Sequence, residues 1–232
     1  MKTAFITGGS KGIGYAIAHI LVNNGWKVAI TGRQPKAIEA ALSSLNALKK
    51  GSAIGFMADV RNYDQQKTAV DKTVTAFGQL DALIANAGVG FFGSIETLDP
   101  KQWHETLDTN LTGVFYSVKA CYEALKQSKG YIITMGSLAG TNYFAGGSSY
   151  NASKFGLLGF TQAIMLDARA HQIKVSTIMP GSVSTNFNDH TPSEQDAWKI
   201  QPEDIGKIVF DLLTMNPRTL PSKIEVRPSQ PR

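Results

Sequence analysis

The stretch that decides the fold covers residues 2–14 and reads KTAFITGGSKGIG. Its first half is a short apolar run, and a helical pattern follows from Ile13 to Val22. A strand that enters a helix through a glycine-rich turn is the context in which glycines bind a phosphate group. Gly8, Gly12 and Gly14 let the backbone turn tightly, and the helix N-terminus offers free N–H donors and a favourable dipole. The stretch therefore predicts a nucleotide site at the first strand–helix junction.

Apolar runs and helical patterns alternate along the rest of the chain. Further strands are predicted at residues 27–31, 52–57, 80–85, 131–135, 173–178 and 223–227, and further helices at residues 35–49, 64–77, 100–127, 150–170 and 202–215. Because parallel strands need a crossover connection, strands separated by helices are typical of a parallel sheet. We therefore predict an α/β fold over residues 1–232, a single-domain Rossmann-type doubly wound parallel sheet with helices on both faces.

Length and composition exclude several classes of protein. A chain of 232 residues can bury a substantial core in one domain without disulfides or metals. Its single cysteine, Cys121, excludes an internal disulfide framework, and a packing role is expected for it. The four histidines are scattered and form no cluster with the spacing of a metal site, so we expect no metal.

The first residues and the hydropathy pattern of the chain predict a cytoplasmic protein. The first residues lack a signal-peptide pattern, and no apolar run reaches membrane-spanning length. The net charge is +5 and the pI is about 9.2, but no basic stripe with interleaved aromatic residues indicates a nucleic-acid site. A solvated surface and a few cations for an anionic cofactor explain the charge better, so we expect neither a nucleic-acid nor a membrane partner.

A candidate proton-transfer site lies in the stretch 149–154, which reads SYNASK. Tyr150 and Lys154 are four residues apart, so a helix places them on one face. An unperturbed phenol titrates near pH ~10, and a fixed ammonium beside it lowers that pKa. Ser137 follows the apolar run 131–135, where its hydroxyl could hold a carbonyl oxygen against the phenol. The Tyr-x-x-x-Lys pattern alone arises often by chance, but here an N-terminal cofactor site accompanies it.

Taken together, these motifs resemble the short-chain dehydrogenase/reductase (SDR) family. The matches follow the order and spacing of the family over roughly residues 3 to 187, and they are Thr7-Gly8-Gly9-Ser10-Lys11-Gly12-Ile13-Gly14, Asn86-Ala87-Gly88, Asn110, Ser137, Tyr150-x-x-x-Lys154 and Pro180-Gly181. The resemblance implies a reversible hydride transfer between a nicotinamide and a carbonyl or alcohol substrate.

The resemblance also implies the role of each catalytic residue. Tyr150 is the general acid and base, Ser137 holds the substrate oxygen, and Lys154 lowers the pKa of the tyrosine and binds the nicotinamide ribose. For Asn110 the resemblance implies that it holds a water, which links Lys154 to solvent. An asparagine within a helical pattern is also often only a satisfied polar group, and that alternative stays open.

Most of the expected cofactor contacts come from the same motifs. The implied cofactor-binding residues are Gly8, Ser10, Lys11, Gly12, Ile13, Gly14, Arg33, Asp59, Val60, Asn86, Ala87, Gly88, Tyr150, Lys154, Pro180, Gly181, Val183 and Thr185. Of these, Asp59 and Val60 are expected to border the adenine, although Asp59 could instead cap a nearby turn. The backbone of Val183 and the hydroxyl of Thr185 are expected to hold the carboxamide.

The end of the second predicted strand indicates which cofactor is used. An acid there would accept hydrogen bonds from the ribose of NAD and repel a 2′-phosphate, and no acid is present. Arg33 offers a planar donor fork suited to a phosphate, and Lys11 adds a second cation. Although both could be surface charges, together they predict NADP(H) rather than an NAD-linked alcohol dehydrogenase.

The substrate is not readable from the sequence. Aromatic and apolar residues in two loops, Phe91, Leu138, Tyr143 and Phe144, are candidates for its pocket, and a short lid is expected around residues 184–200. The resemblance implies a homodimer, whereas the chain's C-terminal end departs from the family pattern that accompanies a tetramer. The alternative function is an NAD(P)(H)-binding regulatory or sensor protein with little turnover.

Overall fold

The computed structural model describes residues 1–230 and contains one seven-stranded parallel sheet. The strands are β1 (Thr3–Ile6), β2 (Lys27–Gly32), β3 (Ala53–Met57), β4 (Ala82–Ala85), β5 (Tyr131–Met135), β6 (Lys174–Pro180) and β7 (Lys223–Val226). The helices are α1 (Gly12–Asn23), α2 (Pro35–Leu48), α3 (Tyr63–Phe77), α4 (Pro100–Leu107), α5 (Gly113–Ser128), α6 (Ser148–Ala168) and α7 (Pro202–Thr214). The predicted α/β class and doubly wound parallel sheet are confirmed.

The order of the strands places a cleft above the middle of the sheet. The strands lie in the order β3-β2-β1-β4-β5-β6-β7, so β1 pairs with β2 on one side and with β4 on the other. In this register Phe5 lies opposite Ala29 of β2 and Leu83 of β4. From β1 the chain adds strands towards one edge of the sheet, and from β4 it adds them towards the other edge. In such sheets ligands bind beyond the carboxyl ends of the strands, at the point where the strand order reverses.

Two hydrophobic cores cover the two faces of the sheet. Ile6, Ile30 and Ile84 point to one face and pack against α1, α2 and α7, whereas Phe5 and Leu83 point to the other, against α3, α5 and α6. Successive strand residues alternate between faces, and both faces are buried, which explains why the strands read as continuous apolar runs.

The predicted helix over residues 100–127 is interrupted in the structure. A π-helical turn, Asp108–Thr112, separates α4 from α5, and Thr109 and Asn110 within it are buried. The turn directs Asn110 inward, where both N–H donors and one oxygen lone pair of its amide are bonded to protein groups. Single π turns within helices occur frequently at functional sites.

Two further features of the described residues concern membranes and metals. No helix within residues 1–230 is both long and apolar enough to cross a bilayer. In the same part of the chain, no group of three or more His, Cys, Asp or Glu side chains is placed to hold a metal ion.

Candidate active site

The glycine loop forms one wall of the cleft at the end of β1. Gly8 and Gly12 have positive φ values of 65° and 56°, which other residues rarely adopt. A Cβ on Gly14 would lie 2.5 Å from the Gly8 carbonyl oxygen and 2.5 Å from Nδ2 of Asn86, so only glycine fits there. No side chain caps the N-terminus of α1, and its first turn contains no acid. Its N–H groups are therefore available to an anion such as a pyrophosphate.

Asn86 joins the ends of β1 and β4. Its Nδ2 donates to the carbonyls of Thr7 (2.9 Å) and Gly8 (3.2 Å). The backbone N–H groups of Asn86 and Ala87 both donate to the hydroxyl of Thr7 at 3.0 Å. This network fixes the glycine loop against the neighbouring strand.

The cleft brings most of the predicted cofactor residues together. It has a volume of about 460 Å³ and runs from the end of β2, past the glycine loop, to the start of α6. The predicted residues that line it are Gly8, Ser10, Lys11, Gly12, Ile13, Arg33, Asp59, Val60, Asn86, Ala87, Gly88, Phe91, Ser137, Tyr150, Lys154, Pro180, Gly181, Val183 and Thr185. Gly14 lies behind the loop, and Asn110, Leu138, Tyr143 and Phe144 do not line the cleft.

Charged side chains form a network of ion pairs at one end of the cleft. The Arg33 side chain is 53% exposed, and its guanidinium lies 3.5 Å from Oε1 of Glu105, a loose contact. Arg61 donates hydrogen bonds to the Asp59 carboxylate, from Nε to both oxygens at 3.1 Å and from Nη2 to Oδ2 at 2.6 Å. Arg61 also lies 3.5 Å from Glu105. The hydrogen bonds from Arg61 hold the pKa of Asp59 below its ordinary value. Sequence reasoning missed Arg61, although its position two residues after Asp59 was a usable signal.

Tyr150 and Ser137 meet at the other end. Tyr150 lies in the first turn of α6 and is half-buried, and Ser137 follows β5 directly. Burial raises the pKa of the Tyr150 phenol above its ordinary value, and the neighbouring Ser137 hydroxyl partly offsets that rise. The Ser137 Oγ accepts a hydrogen bond from the backbone N–H of Ala139 at 3.1 Å, so its own O–H is free to donate.

Lys154 lies one helical turn beyond Tyr150 and is almost completely buried, at 6% exposure. Its ammonium donates to the carbonyl of Met135 at 2.9 Å and sits 5.6 Å from the centre of the Tyr150 ring. Burial lowers the pKa of Lys154 to about 8. The expected lowering of the Tyr150 pKa by Lys154 stays a prediction.

Asn110 holds the loop after β4 against the helix that carries Tyr150. Its Oδ1 accepts from the N–H of Val89 at 2.8 Å, and its Nδ2 donates to the Val89 carbonyl at 2.8 Å and to Oγ of Ser153 at 3.0 Å. Both amide N–H donors are thus used within the protein. The implied role of Asn110 in holding a water stays a prediction, and only the second lone pair of Oδ1 is left to serve it.

The structure separates the four candidate residues of the substrate pocket. Phe91 lines the cleft, and Leu138 packs near Gly181. Tyr143 is 87% exposed and Phe144 is 47% exposed. Two aromatic residues that sequence reasoning did not select, Phe92 and Phe187, contact the Tyr150 ring directly. Their proximity to Phe91 and to Thr185 in the sequence was the available signal.

The segment after β6 folds back beside the cleft. Ser184 donates its backbone N–H to the Ile200 carbonyl at 2.9 Å, which closes residues 184–200 into one loop. Within it, the buried carboxylate of Asp196 contacts Lys199 and His190, each at 2.5 Å. Hydrogen bonds from Lys199 and then His190 hold the pKa of Asp196 well below its ordinary value. The bounds of the expected lid stay a prediction, but the segment has an internal structure of its own.

Comparison with known proteins identifies the family to which this chain is similar. The family model described as short chain dehydrogenase matches residues 2–196. An uncharacterized oxidoreductase of Staphylococcus saprophyticus is 30% identical over 232 residues, covering 98% of this chain and 97% of that protein. The 3-oxoacyl-(acyl-carrier-protein) reductase of Buchnera aphidicola is 32% identical over 195 residues, covering 84% of this chain and 78% of that protein.

Solved structures agree with the fold and include nicotinamide complexes. An alcohol dehydrogenase from Thermococcus sibiricus, complexed with 5-hydroxy-NADP, superposes with a TM-score of 0.93 at 26% identity, covering 100% of this chain and 98% of that chain. A metagenomic short-chain oxidoreductase in complex with NADP has a TM-score of 0.86 at 33% identity, covering 99% and 98%. Carveol dehydrogenase of Mycobacterium avium, in complex with NAD, has a TM-score of 0.89 at 24% identity, covering 97% and 96%, and shows the fold alone.

Proposed function

Since the chain belongs to the short-chain dehydrogenase family of oxidoreductases, we propose that it catalyses reversible hydride transfer between NADP(H) and a carbonyl or alcohol substrate, with Tyr150 as the acid and base. The observation that carries this proposal is the convergence of Ser137, Tyr150 and Lys154 at one end of a cleft whose other end is the glycine loop. The candidate proton donor and the glycine loop therefore line the same cleft.

In the reducing direction, Tyr150 donates its phenolic proton to the carbonyl oxygen. Its burial supports this role, because a raised pKa keeps the phenol protonated at neutral pH. Ser137 holds the same oxygen with its free O–H, since its Oγ already accepts from Ala139. In the oxidising direction the phenolate form of Tyr150 takes up the proton of the substrate hydroxyl, and Ser137 holds the same oxygen.

Lys154 supplies a positive charge next to the Tyr150 ring. An ammonium has three N–H donors, and only one is used by the Met135 carbonyl. The others are available to the ribose of the cofactor and to a phenolate that forms at Tyr150 in either direction. A pKa of about 8 keeps the group largely charged at neutral pH and lets it lose its proton in mildly alkaline solution.

The residues of the cleft fit a nicotinamide dinucleotide. The uncapped N-terminus of α1 and the glycine positions that exclude a Cβ provide a close-approach site for the pyrophosphate. Val183 and Thr185 line the end near Tyr150, where they would hold the carboxamide. When bound, NADP(H) supplies or accepts the hydride at the substrate carbon.

The preference for NADP(H) over NAD(H) is part of the proposal. Lys11 and Arg33 line the end of the cleft beyond β2, and Asp59, a lining carboxylate there, is paired with Arg61. A 2′-phosphate would therefore meet two cations and a neutralised acid. The NADP complexes of the two related structures support this choice.

A homodimer and a cytoplasmic location also stay proposals. Exposed apolar side chains on α5 and α6, among them Phe115, Phe155 and Leu166, support a contact between two copies of the chain.

The test is a parallel fluorescence titration with NADPH and NADH, followed by NADPH oxidation assays with ketones, keto esters and acyl thioesters. We expect tighter binding of NADPH and oxidation of NADPH with at least one carbonyl class. Binding of NADPH without turnover of any carbonyl would favour the sensor alternative, and binding of neither cofactor would contradict the enzyme proposal.

A further inference from the structure

The ring of Tyr150 contacts two phenylalanine rings. The Phe92 ring, from the loop after β4, stands 5.5 Å from it at an interplanar angle of 68°. The Phe187 ring, from the segment after β6, lies 5.8 Å from it at 56°. Both are edge-to-face or tilted contacts of the kind that aromatic rings favour. The proton donor of the proposed reaction therefore opens onto an aromatic enclosure supplied by two different segments.

Gly90 allows this enclosure to form. A Cβ on Gly90 would lie 2.7 Å from Cζ of Phe187 and 3.0 Å from Cζ of Phe92. The tips of the two rings thus converge above a position where only glycine leaves room. Ser149, beside Tyr150, donates its hydroxyl to the Phe91 carbonyl at 3.1 Å, which holds the same loop against α6. The walls are consequently set by the loop backbone as well as by the rings.

The enclosure remains open to further apolar contact. Phe92 is 45% exposed and Phe187 is 38% exposed, although both contact the Tyr150 ring. Phe144 extends the wall outward, with its ring 5.9 Å from that of Phe92. Partly exposed aromatic rings that rim a cleft are typical of a surface that binds an apolar partner.

The charges around the enclosure favour a neutral ligand. Residues 88–98 and 136–148 contain no Lys or Arg, and their one charged residue is Glu96. In the segment after β6, Lys199 and His190 are both engaged by the buried carboxylate of Asp196. Lys11 and Arg33 lie at the opposite end of the cleft. A carboxylate or phosphate on the substrate would therefore find no cation in these segments to pair with.

We propose that Phe92 and Phe187 are the walls of a substrate site for a neutral carbonyl compound that carries a flat apolar ring next to the carbonyl group. The inference rests on the proposed function, because it assumes that Tyr150 protonates the substrate oxygen. The ring of the substrate packs against the exposed surfaces of Phe92 and Phe187, and its carbonyl oxygen reaches Ser137 and Tyr150.

The test uses matched ketones with NADPH. Acetophenone represents the proposed class, 4-acetylbenzoate adds only a negative charge to it, and 2-butanone lacks the ring. The variants are Phe92→Ala and Phe187→Ala, and the control is Leu48→Ala, which removes a 43%-exposed apolar side chain at the end of α2. The Kd of NADPH, measured by fluorescence for every variant, reports on the fold and on the cofactor site.

We expect the wild type to have its highest kcat/KM with acetophenone. Loss of either ring should raise the KM for acetophenone about tenfold, as expected for the loss of an aromatic contact together with buried apolar area. The KM for 2-butanone and the Kd of NADPH should change less than twofold, and Leu48→Ala should match the wild type.

Three results would overturn the inference while leaving the proposed function standing. They are equal changes for acetophenone and 2-butanone, kcat/KM for 4-acetylbenzoate as high as for acetophenone, and NADPH-dependent turnover of carbonyls that never includes an aryl ketone. Failure of the proposed function differs from these, because it appears in the wild type as absence of cofactor binding or of turnover with every carbonyl.

Discussion

Replacement of Arg33 by alanine should weaken NADPH binding about tenfold and leave NADH binding nearly unchanged. A hydrogen bond to a charged group contributes roughly 1.5–3 kcal/mol, and about 1.4 kcal/mol corresponds to a tenfold change in Kd. Because the Arg33 side chain is 53% exposed, solvent screening places its contribution at the lower end of that range. Its 3.5 Å contact with Glu105 is too loose to compete strongly with a phosphate. Glu105 also stays within 3.5 Å of Arg61 in the variant, so no unpaired acid results.

The assay is a fluorescence titration of wild type and Arg33→Ala with NADPH and NADH at low and at high salt. Arg218→Ala is the matched control, because Arg218 is exposed and lies in the loop between α7 and β7, away from the cleft. The difference between the cofactors should shrink as salt screens the phosphate contact. Equal weakening of NADPH and NADH, or no effect on either, would refute the assignment of Arg33 to the 2′-phosphate.

Three further predictions follow from the cleft. Arg61→Gln should free the Asp59 carboxylate and raise the Kd of NADPH about threefold to fivefold but not that of NADH, and adding Asp59→Asn should restore it; a double variant as weak as the single one would contradict this role. Gly14→Ala should lower Tm by about 2–10 °C and abolish cofactor binding, since its Cβ would lie 2.5 Å from the Gly8 carbonyl; an unchanged Tm in calorimetry would contradict the packing account. Burial lowers the pKa of Lys154 from 10.5 to about 8 in the folded protein, so between these pH values the unfolded chain binds one more proton than the folded chain. The stability of the wild type relative to Lys154→Met should therefore rise from pH 8 towards pH 10, by at most about 1.4 kcal/mol per pH unit. Urea unfolding at pH 7, 8, 9 and 10 measures this difference, and a flat difference would show that the pKa of Lys154 is not lowered in the folded protein.

The sequence alone predicted the features that depend on local pattern. The strand–turn–helix context of residues 2–14 identified the glycine loop, and the alternation of apolar runs with helical patterns predicted the parallel sheet. Motifs of fixed spacing identified residues that the cleft indeed brings together, among them Ser137, Tyr150 and Lys154. These signals are local because backbone conformation and side-chain period are set within a few residues.

What escaped prediction depends on three-dimensional contacts. The π turn at Asp108–Thr112 follows from the bonds of Asn110 to Val89 and Ser153, partners that lie 21 and 43 positions away. The direction of the Tyr150 pKa shift depends on burial and on the neighbouring Ser137 hydroxyl, and spacing along a helix reports neither.

The aromatic rings show the same limit. Every phenylalanine in a loop is equally visible in the sequence, but only the folded chain selects Phe92 and Phe187 as neighbours of Tyr150 and leaves Tyr143 exposed. Similarly, the pairing of Arg61 with Asp59 emerges from a turn geometry that brings a fork of N–H donors onto one carboxylate. Packing and ion pairing thus add the details that distinguish this site from its general plan.

The most direct test of the central claim is the Tyr150→Phe variant, assayed with NADPH and the carbonyl compound that the wild type reduces fastest. Phenylalanine keeps the ring in contact with Phe92 and Phe187 and removes only the hydroxyl, so the fold and the Kd of NADPH should match those of the wild type. The account predicts that NADPH oxidation falls by at least about 10²-fold, the usual contribution of a general acid. Turnover near the wild-type rate in a variant that binds NADPH normally would contradict Tyr150 as the proton donor.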